Sequence, residues 1–314
     1  MQLSDRAGRR MKLQDLHILM TVVEAGSMGK AAQRLNSTQP AVSRSIADLE
    51  HALGVRLLDR HRQGVEPTEH GRALLACGVA VFDDLRQGVK NIEFLSDPST
   101  GDVRIGSTAF LAASFVSAVV EQLSRRYPRI VFHLTTAPTG TLYRELKERD
   151  LDLLIVRRFG TVADERLEFE FLFDDSFVVA AGAQNPWARR RRIELADLVT
   201  EPWVLPPPES ELTSVAMEAF RMSGLDFPRP AVVAVAPEIR ISLLALGRFL
   251  TIFPASVLKF PTKRPEIKPL PVELPLPRVP IGIASLKNRT LSPVARIFSE
   301  EARQVARSLV KRKR

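Results

Sequence analysis

Cysteine is nearly missing: Cys77 stands alone among 314 residues, so no disulfide can form within the chain, which suits a reducing compartment. Long apolar runs are missing too. No stretch of about 18 uncharged apolar residues occurs, which argues against a membrane-spanning helix. The opening MQLSDRAGRRMKLQDL has basic charges but lacks the apolar core and small-residue cleavage site of a signal peptide. The expectation is a cytoplasmic protein. The common catalytic signatures are absent as well: no P-loop, no GxGxxG opening a helix after a strand, and no GxSxG. His17, His51, His61, His70 and His133 are not spaced as metal ligands, and the acid pairs Asp174-Asp175 and Glu300-Glu301 define no site. The chain is therefore expected to be no enzyme and to carry no cofactor or metal.

What is present starts with charge. A composition 45% hydrophobic and 26% charged is that of a folded globular protein, and the net charge of +9 favours a polyanionic partner. Part of that excess lies in two runs, Arg189 to Arg192 and the tail Lys311-Arg312-Lys313-Arg314, which read as solvated surface.

From Lys12 to Leu53 a helical period occurs three times. Leu16, Leu19, Met20 and Val23 recur at three- and four-residue steps; Gly26 ends that helix and Ser27 caps the next, whose Ala31 and Ala32 permit close packing. Asn36-Ser37 breaks the run. A third helix then begins with Ser37 as N-cap and Pro40 in the first turn, buries Val42, Ile46, Leu49 and Leu53, and stops at Gly54. Its other face offers Thr38, Gln39, Ser43 and Arg44. Arginine suits guanine, glutamine suits adenine, and the first two turns of a recognition helix are the part that enters the major groove. Beyond Gly54, Val55 and Leu57, then Gly64 and Val65, suggest a short hairpin, with Arg60 and Arg62 near its tip able to hold phosphates.

The segment AAQRLNSTQPAVSRSIADLEHALGVRLLDR, continuing to VEPTEHG, closely resembles the DNA-binding signature of LysR-type transcriptional regulators from about Lys12 to Gly71. The resemblance implies DNA contacts from Ser37, Thr38, Gln39, Pro40, Ser43 and Arg44, with Arg62 added from the wing. The ten residues before Met11 are extra relative to the usual start.

Thr68 can cap a long helix reaching about Leu95. Along it Leu75, Phe82 and Val89 lie seven apart, as do Leu85 and Ile92 with Gly78 in register, approximating a coiled-coil seam. Packing against its own chain is the competing reading. The resemblance implies that this helix makes a homodimer presenting two recognition helices, and that dimers pair into a homotetramer. Residues 96–101, SDPSTG, form a hinge.

Strand and helix alternate from Asp102 onward, as in an α/β fold with a largely parallel sheet. Strands are expected at Val103–Gly106, Ile130–Thr135 and Leu151–Val156, with helices at Phe110–Arg126 and Gly140–Arg149. Phe169–Ala180, Trp203–Leu205 and Phe249–Phe253 are assigned to a second lobe, Ile281–Ala284 to a return into the first, and a last helix starts near Ser292. The proline-rich Pro261–Pro280 carries the chain back. This double crossing resembles the LysR-type effector domain, itself similar to periplasmic solute-binding proteins. The expected fold is mixed: an all-α winged helix-turn-helix at 11–68, a linker helix at 69–97, and a two-lobed α/β effector domain at 100–314, with lobes at 100–160 plus 266–314 and at 161–265.

Ligands of open α/β folds bind beyond the carboxyl ends of strands. That nominates Ser107, Thr108, Ala109, Thr136, Ala137 and Arg157, and from the second lobe Pro207, Ser210, Phe253 and Pro254. Ser107 and Thr108 open a helix, where free N–H groups favour an anion, although a hydroxyl there can equally be a plain cap. Arg157 can offset a carboxylate. The expected effector is a small polar or anionic metabolite that shifts the population of lobe arrangements and so the dimer's hold on promoter DNA, with RNA polymerase a further partner and no membrane involved. Two rival classes share the scaffold, a solute-binding protein and an enzyme with an added DNA-binding domain. The front helix-turn-helix counts against the first, and the missing acid–base pair against the second.

Overall fold

Capping residues divide the amino-terminal region of the computed structural model, which describes residues 11–61, 64–160, 164–258 and 266–311. Helix α1 (Leu13–Ala25) ends at Gly26 in a left-handed conformation (φ 68°), and the Ser27 hydroxyl accepts the Lys30 amide at 3.2 Å to start α2 (Met28–Arg34). Helix α3 (Gln39–Leu53) ends at Gly54, again left-handed (φ 71°). Its N-cap is Thr38, which accepts the Ala41 amide at 3.4 Å, one residue later than the sequence suggested. The Ser37 amide is instead spent on the Ala32 carbonyl, closing the turn at Asn36 (φ 48°).

The three helices bury Leu19, Val22, Ala31, Val42, Ile46 and Leu49. On α1 the fully buried valine is Val22, while Val23, chosen from the sequence spacing, is half-buried. Strands β1 (Leu58–His61) and β2 (Gly64–Pro67) pair antiparallel as the expected wing. Thr68 then caps α4 (Glu69–Ser96), accepting the Gly71 amide at 3.0 Å.

The chain forms two units, residues 1–89 and 90–314, divided inside α4. In the second, Phe94 of α4 packs on a core beneath β3 (Thr100–Ser107). A continuous helical stretch follows, made of α5 (Ala109–Leu111), a π-helical segment (Ala112–Val116) and α6 (Ser117–Arg126). Next come β4 (Arg129–Thr136), α7 (Thr139–Lys147), β5 (Leu153–Arg157) and β6 (Leu167–Asp175). The chain continues through β7 (Phe177–Gly182), β8 (Val204–Leu205), α8 (Glu211–Met222), β9 (Val232–Val233), α9 (Pro237–Ala245) and β10 (Leu250–Pro254). Strand β11 (Ile267–Pro269), strand β12 (Val279–Leu286) and helix α10 (Pro293–Lys311) complete it.

Five strands form the first sheet in the order β4-β3-β5-β12-β6. β4, β3 and β5 run parallel, while β12 is antiparallel to both β5 and β6. Four of the five strands thus run in one direction, as expected, and the sheet is mixed through β12, which enters it after the chain has returned from the second lobe. Strand β5 is buried along its whole length: Leu153 and Ile155 face a core shared with α6 and α10, and Leu154 and Val156 face one shared with α7. That two-sided burial explains its unbroken apolar run.

The second lobe holds an antiparallel sheet, β10-β7-β11, with Val179 and Ile252 on one side and Ala180 and Phe253 on the other. β6 does not belong to it. The apolar stretch Phe169–Ala180 is two strands in two sheets, separated only by Ser176. Helices α8 and α9 also belong to this lobe and were not foreseen.

Candidate functional site

Two regions gather the candidate residues, one in each unit. In the first, Gln39, Pro40 and Arg44 lie exposed on the opening turns of α3, beside the exposed Ser37 and Thr38. The opposite face is anchored. The Ser45 hydroxyl donates to Asp15 of α1 at 2.8 Å, and Glu50 accepts the amides of Leu57 (2.7 Å) and Leu58 (3.2 Å) at the entrance to the wing. Glu50 therefore fixes the hairpin relative to the helix, a role invisible from a surface acid in a helical run. Arg60 of β1 reaches back and donates to the half-buried Ser43 at 3.4 Å, bringing wing and helix candidates into one basic, donor-bearing surface. Arg62, also predicted, lies outside the described residues.

The seam predicted along α4 divides in two. Gly78 faces α1, and a Cβ there would stand 3.0 Å from the Met20 sulfur and 3.2 Å from Leu16. Leu75 packs on the helix-turn-helix core, and the Phe82 ring meets His17 edge-on, with centroids 5.8 Å apart. Those residues serve their own chain, because α1 crosses α4 at that point. One face of the following turns is unspent: Leu85, Val89, Ile92 and Leu95 are 48%, 54%, 66% and 82% exposed.

In the second unit, the strand ends converge where the two sheets meet. Ser107 is buried with its hydroxyl donating to the Ile155 carbonyl of β5 at 2.7 Å. Thr108 stands before α5 but makes no capping bond, and its buried hydroxyl has no partner. Ala109 is half-buried, as is Ala137, while Thr136 is exposed at the end of β4. Arg157, nominated as a countercharge for a ligand, already has one: Asp175 lies 3.0 Å away and Ser256 3.2 Å away. Burial pushes the Arg157 guanidinium below its ordinary value, and Asp175 pulls it back. The charge is internally matched, and its buried Nε has no hydrogen-bond partner among the described residues.

Across the junction, Ser210 serves as the N-cap of α8, accepting the Thr213 amide at 3.1 Å, and Pro207 is half-buried just before it. The next residue, Glu211, accepts from Thr139 of α7 at 2.9 Å, linking the lobes at the rim. Phe253 and Pro254 are buried, and the Phe253 ring meets Phe110 of the first lobe at 5.0 Å. Sequence inspection missed Arg240, which lies in this same region with its guanidinium over Phe110 at 4.9 Å. A surface depression of about 910 Å³ lies elsewhere in the second lobe, lined by Trp187, Arg190, Arg229 and Arg248 among others; it contains none of the nominated residues.

Among the described residues no group of three or more histidines, cysteines or acids could hold a metal ion, and no helix is long and apolar enough to cross a membrane. Comparison with known proteins places both regions. Residues 13–72 match the bacterial regulatory helix-turn-helix model of the lysR family, and residues 96–307 match the LysR substrate binding domain model. The chain is 27% identical over 288 residues to the HTH-type transcriptional regulator GbpR of Azospirillum brasilense, covering 91% of this chain and 84% of that protein. A full-length OxyR variant from Pseudomonas aeruginosa shares the fold with a TM-score of 0.66 at 21% identity, over 95% of this chain and 97% of that one. Full-length CbnR, solved with its target DNA, aligns with a TM-score of 0.55 at 23% identity, over 94% of this chain and 100% of that one.

Proposed function

The chain belongs to the LysR-type transcriptional regulators, and on that premise we propose that it reads promoter DNA through Ser37, Thr38, Gln39, Pro40, Ser43 and Arg44 under control of a small polar or anionic effector. The observation that carries the reading is the exposed polar face at the start of α3, with the arginine-bearing wing hydrogen-bonded beside it. Arg44 supplies base discrimination and Arg60 a sequence-independent phosphate contact. The chain acts as a cytoplasmic regulator and not as an enzyme.

Two chains pair through the exposed Leu85–Val89–Ile92–Leu95 face of α4, and two such dimers form a homotetramer that can also engage RNA polymerase. An apolar helix stripe of this length is costly to leave in water and is covered when a second copy docks on it. The effector lies where the lobes meet, near Thr108, Ala109 and Phe253, with Ser107, Thr136, Ala137, Pro207, Ser210 and Pro254 framing it. Binding there changes the relation between lobes and thereby the spacing of recognition helices.

Fluorescence anisotropy with the DNA upstream of this protein's own coding sequence, against a scrambled duplex, tests the DNA assignment. Arg44→Ala is expected to erode the preference for the cognate duplex, while Arg60→Ala weakens both equally. Equal losses on both duplexes for Arg44→Ala overturn the assignment of Arg44.

A further inference from the structure

Among the described residues of the second unit three arginines are buried, and two of them have carboxylates: Arg157 with Asp175 at 3.0 Å, and Arg289 with Asp152 at 2.9 Å. The third, Arg240, is only 3% exposed, and among the described residues it forms no ion pair. Its Nε and Nη1 have no hydrogen-bond partner. What it does have is aromatic cover, from Phe110 of the first lobe at 4.9 Å and Phe253 of the second at 5.8 Å. Burial lowers its pKa to about 10, against the pull of the exposed Glu238 two residues earlier. At neutral pH the group is still a cation. A buried cation with unmade hydrogen bonds is costly, and a cation–π contact recovers only part of that cost.

The neighbourhood repeats the pattern. Thr108, two residues before Phe110, has a buried hydroxyl without a partner, and Arg157 Nε, at the end of adjacent β5, is likewise unmade. The short 3-10 turn Ala255–Leu258, which follows Phe253 and supplies Ser256 to Arg157, packs against α5 and ties these groups into one region. Arginine nitrogens only donate, so whatever satisfies them must bring acceptors, and the unmatched charge of Arg240 calls for a negative one. Both phenylalanine rings lie to one side of the guanidinium, their own centroids only 5.0 Å apart, and they leave its Nε and Nη1 without an acceptor.

We propose that Arg240 is the receptor for the acid group of the effector, that the effector is a small organic carboxylate, and that the Thr108 hydroxyl and Arg157 Nε complete the donor set. The proposal rests on the reading of the lobe junction as the effector site. It also gives the ligand a means of coupling the lobes, since one carboxylate would be held by Thr108 of the first lobe and Arg240 of the second.

Titration calorimetry on the full-length protein provides the test, using three acids with their uncharged amides at constant ionic strength: benzoate and benzamide, glutarate and glutaramide, glucuronate and glucuronamide. The wild type is expected to bind at least one acid and not its amide. Arg240→Gln is expected to weaken that binding about tenfold to a hundredfold, the range for a lost hydrogen bond to a charged group. Arg240→Lys, which keeps the charge, recovers part of it, and Thr108→Val, which keeps the shape, weakens it less. Melting curves without ligand check that each variant is folded; should Arg240→Gln fail to fold, the lysine and valine variants decide.

An acid bound equally by wild type, Arg240→Gln and Arg240→Lys, yet weakened by Thr108→Val, overturns the role of Arg240 and leaves the junction as the effector site. An acid insensitive to all three substitutions overturns both. Preference for an amide, or no acid bound by the wild type, overturns the carboxylate class.

Discussion

Glu50 in the recognition helix holds the backbone amide of Leu57 at 2.7 Å, and a single carboxylate oxygen also takes the amide of Leu58 at 3.2 Å. Both residues are buried, so without that oxygen two amides at the entrance to the wing lose their acceptor. Glu50→Ala is expected to cost about 1–3 kcal/mol, the penalty for buried donors left unmade. Glu50→Gln, which retains a carbonyl oxygen, should lose much less. Thermal melts of the two variants separate these outcomes; DNA affinity should fall with Glu50→Ala because the wing loses its fixed approach to α3.

Gly71 permits another close contact at the same corner. A Cβ at this position would lie 2.0 Å from the Leu57 carbonyl oxygen, which is backbone and cannot swing aside. Gly71→Ala is expected to destabilise the first unit by about 1–3 kcal/mol through overpacking, even though alanine is the better helix former. A melting temperature equal to the wild type would mean that α4 can shift without cost.

Asp152 carries the acid sensitivity of the second unit. Burial pushes its carboxyl up, but the hydrogen bonds from Arg104 and the charges of Arg104 and Arg289 outweigh burial and hold it below the ordinary carboxylate range. A carboxyl depressed in the folded state stabilises above its unfolded pKa, about 4, and that contribution is lost as pH falls toward the folded value. Stability should therefore drop on acidification below about pH 4. Asp152→Asn, which removes the negative charge beside Arg104 and the buried Arg289, is expected to cost about 1–3 kcal/mol at neutral pH and to flatten that acid limb. Urea melts across pH measure both effects.

Val89 and Ile92 on α4 are exposed in the single chain, so charging them should leave its fold intact. Val89→Glu with Ile92→Glu is expected to convert dimers to monomers in sedimentation velocity while changing the melting temperature of the monomer little. Unaltered sedimentation would place the dimer contact elsewhere.

The legible features of this sequence were those written locally. Gly26, Ser27 and Gly54 mark helix ends through their own conformational preferences, and Ile46 and Leu49 follow a helical period, so the first unit was readable almost residue by residue. The division at Ser176 was not, because Phe169 to Ala180 is one apolar, β-prone stretch and nothing local states that its halves join different sheets. The ion pair of Arg157 was hidden for a similar reason: Asp175 looks like half of an ordinary acid pair until β6 is placed in the first sheet. Arg240 carries no local mark at all, being one of 45 basic residues until Phe110 folds over it.

The same single residue between β6 and β7 limits how the lobes can move. Asp175 accepts the amides of both Ser176 and Ser256 at 3.0 Å, so the strand exit and the 3-10 turn beyond β10 share one carboxylate. A crossing this short has no slack to stretch. The degree of freedom it leaves is a swivel about its own bonds, with each lobe turning as a rigid lever on a common pivot. Lengthening that pivot by one residue would slacken this crossing alone, while the return from β11 into β12 and the Phe110–Phe253 and Thr139–Glu211 contacts would still yoke the levers together.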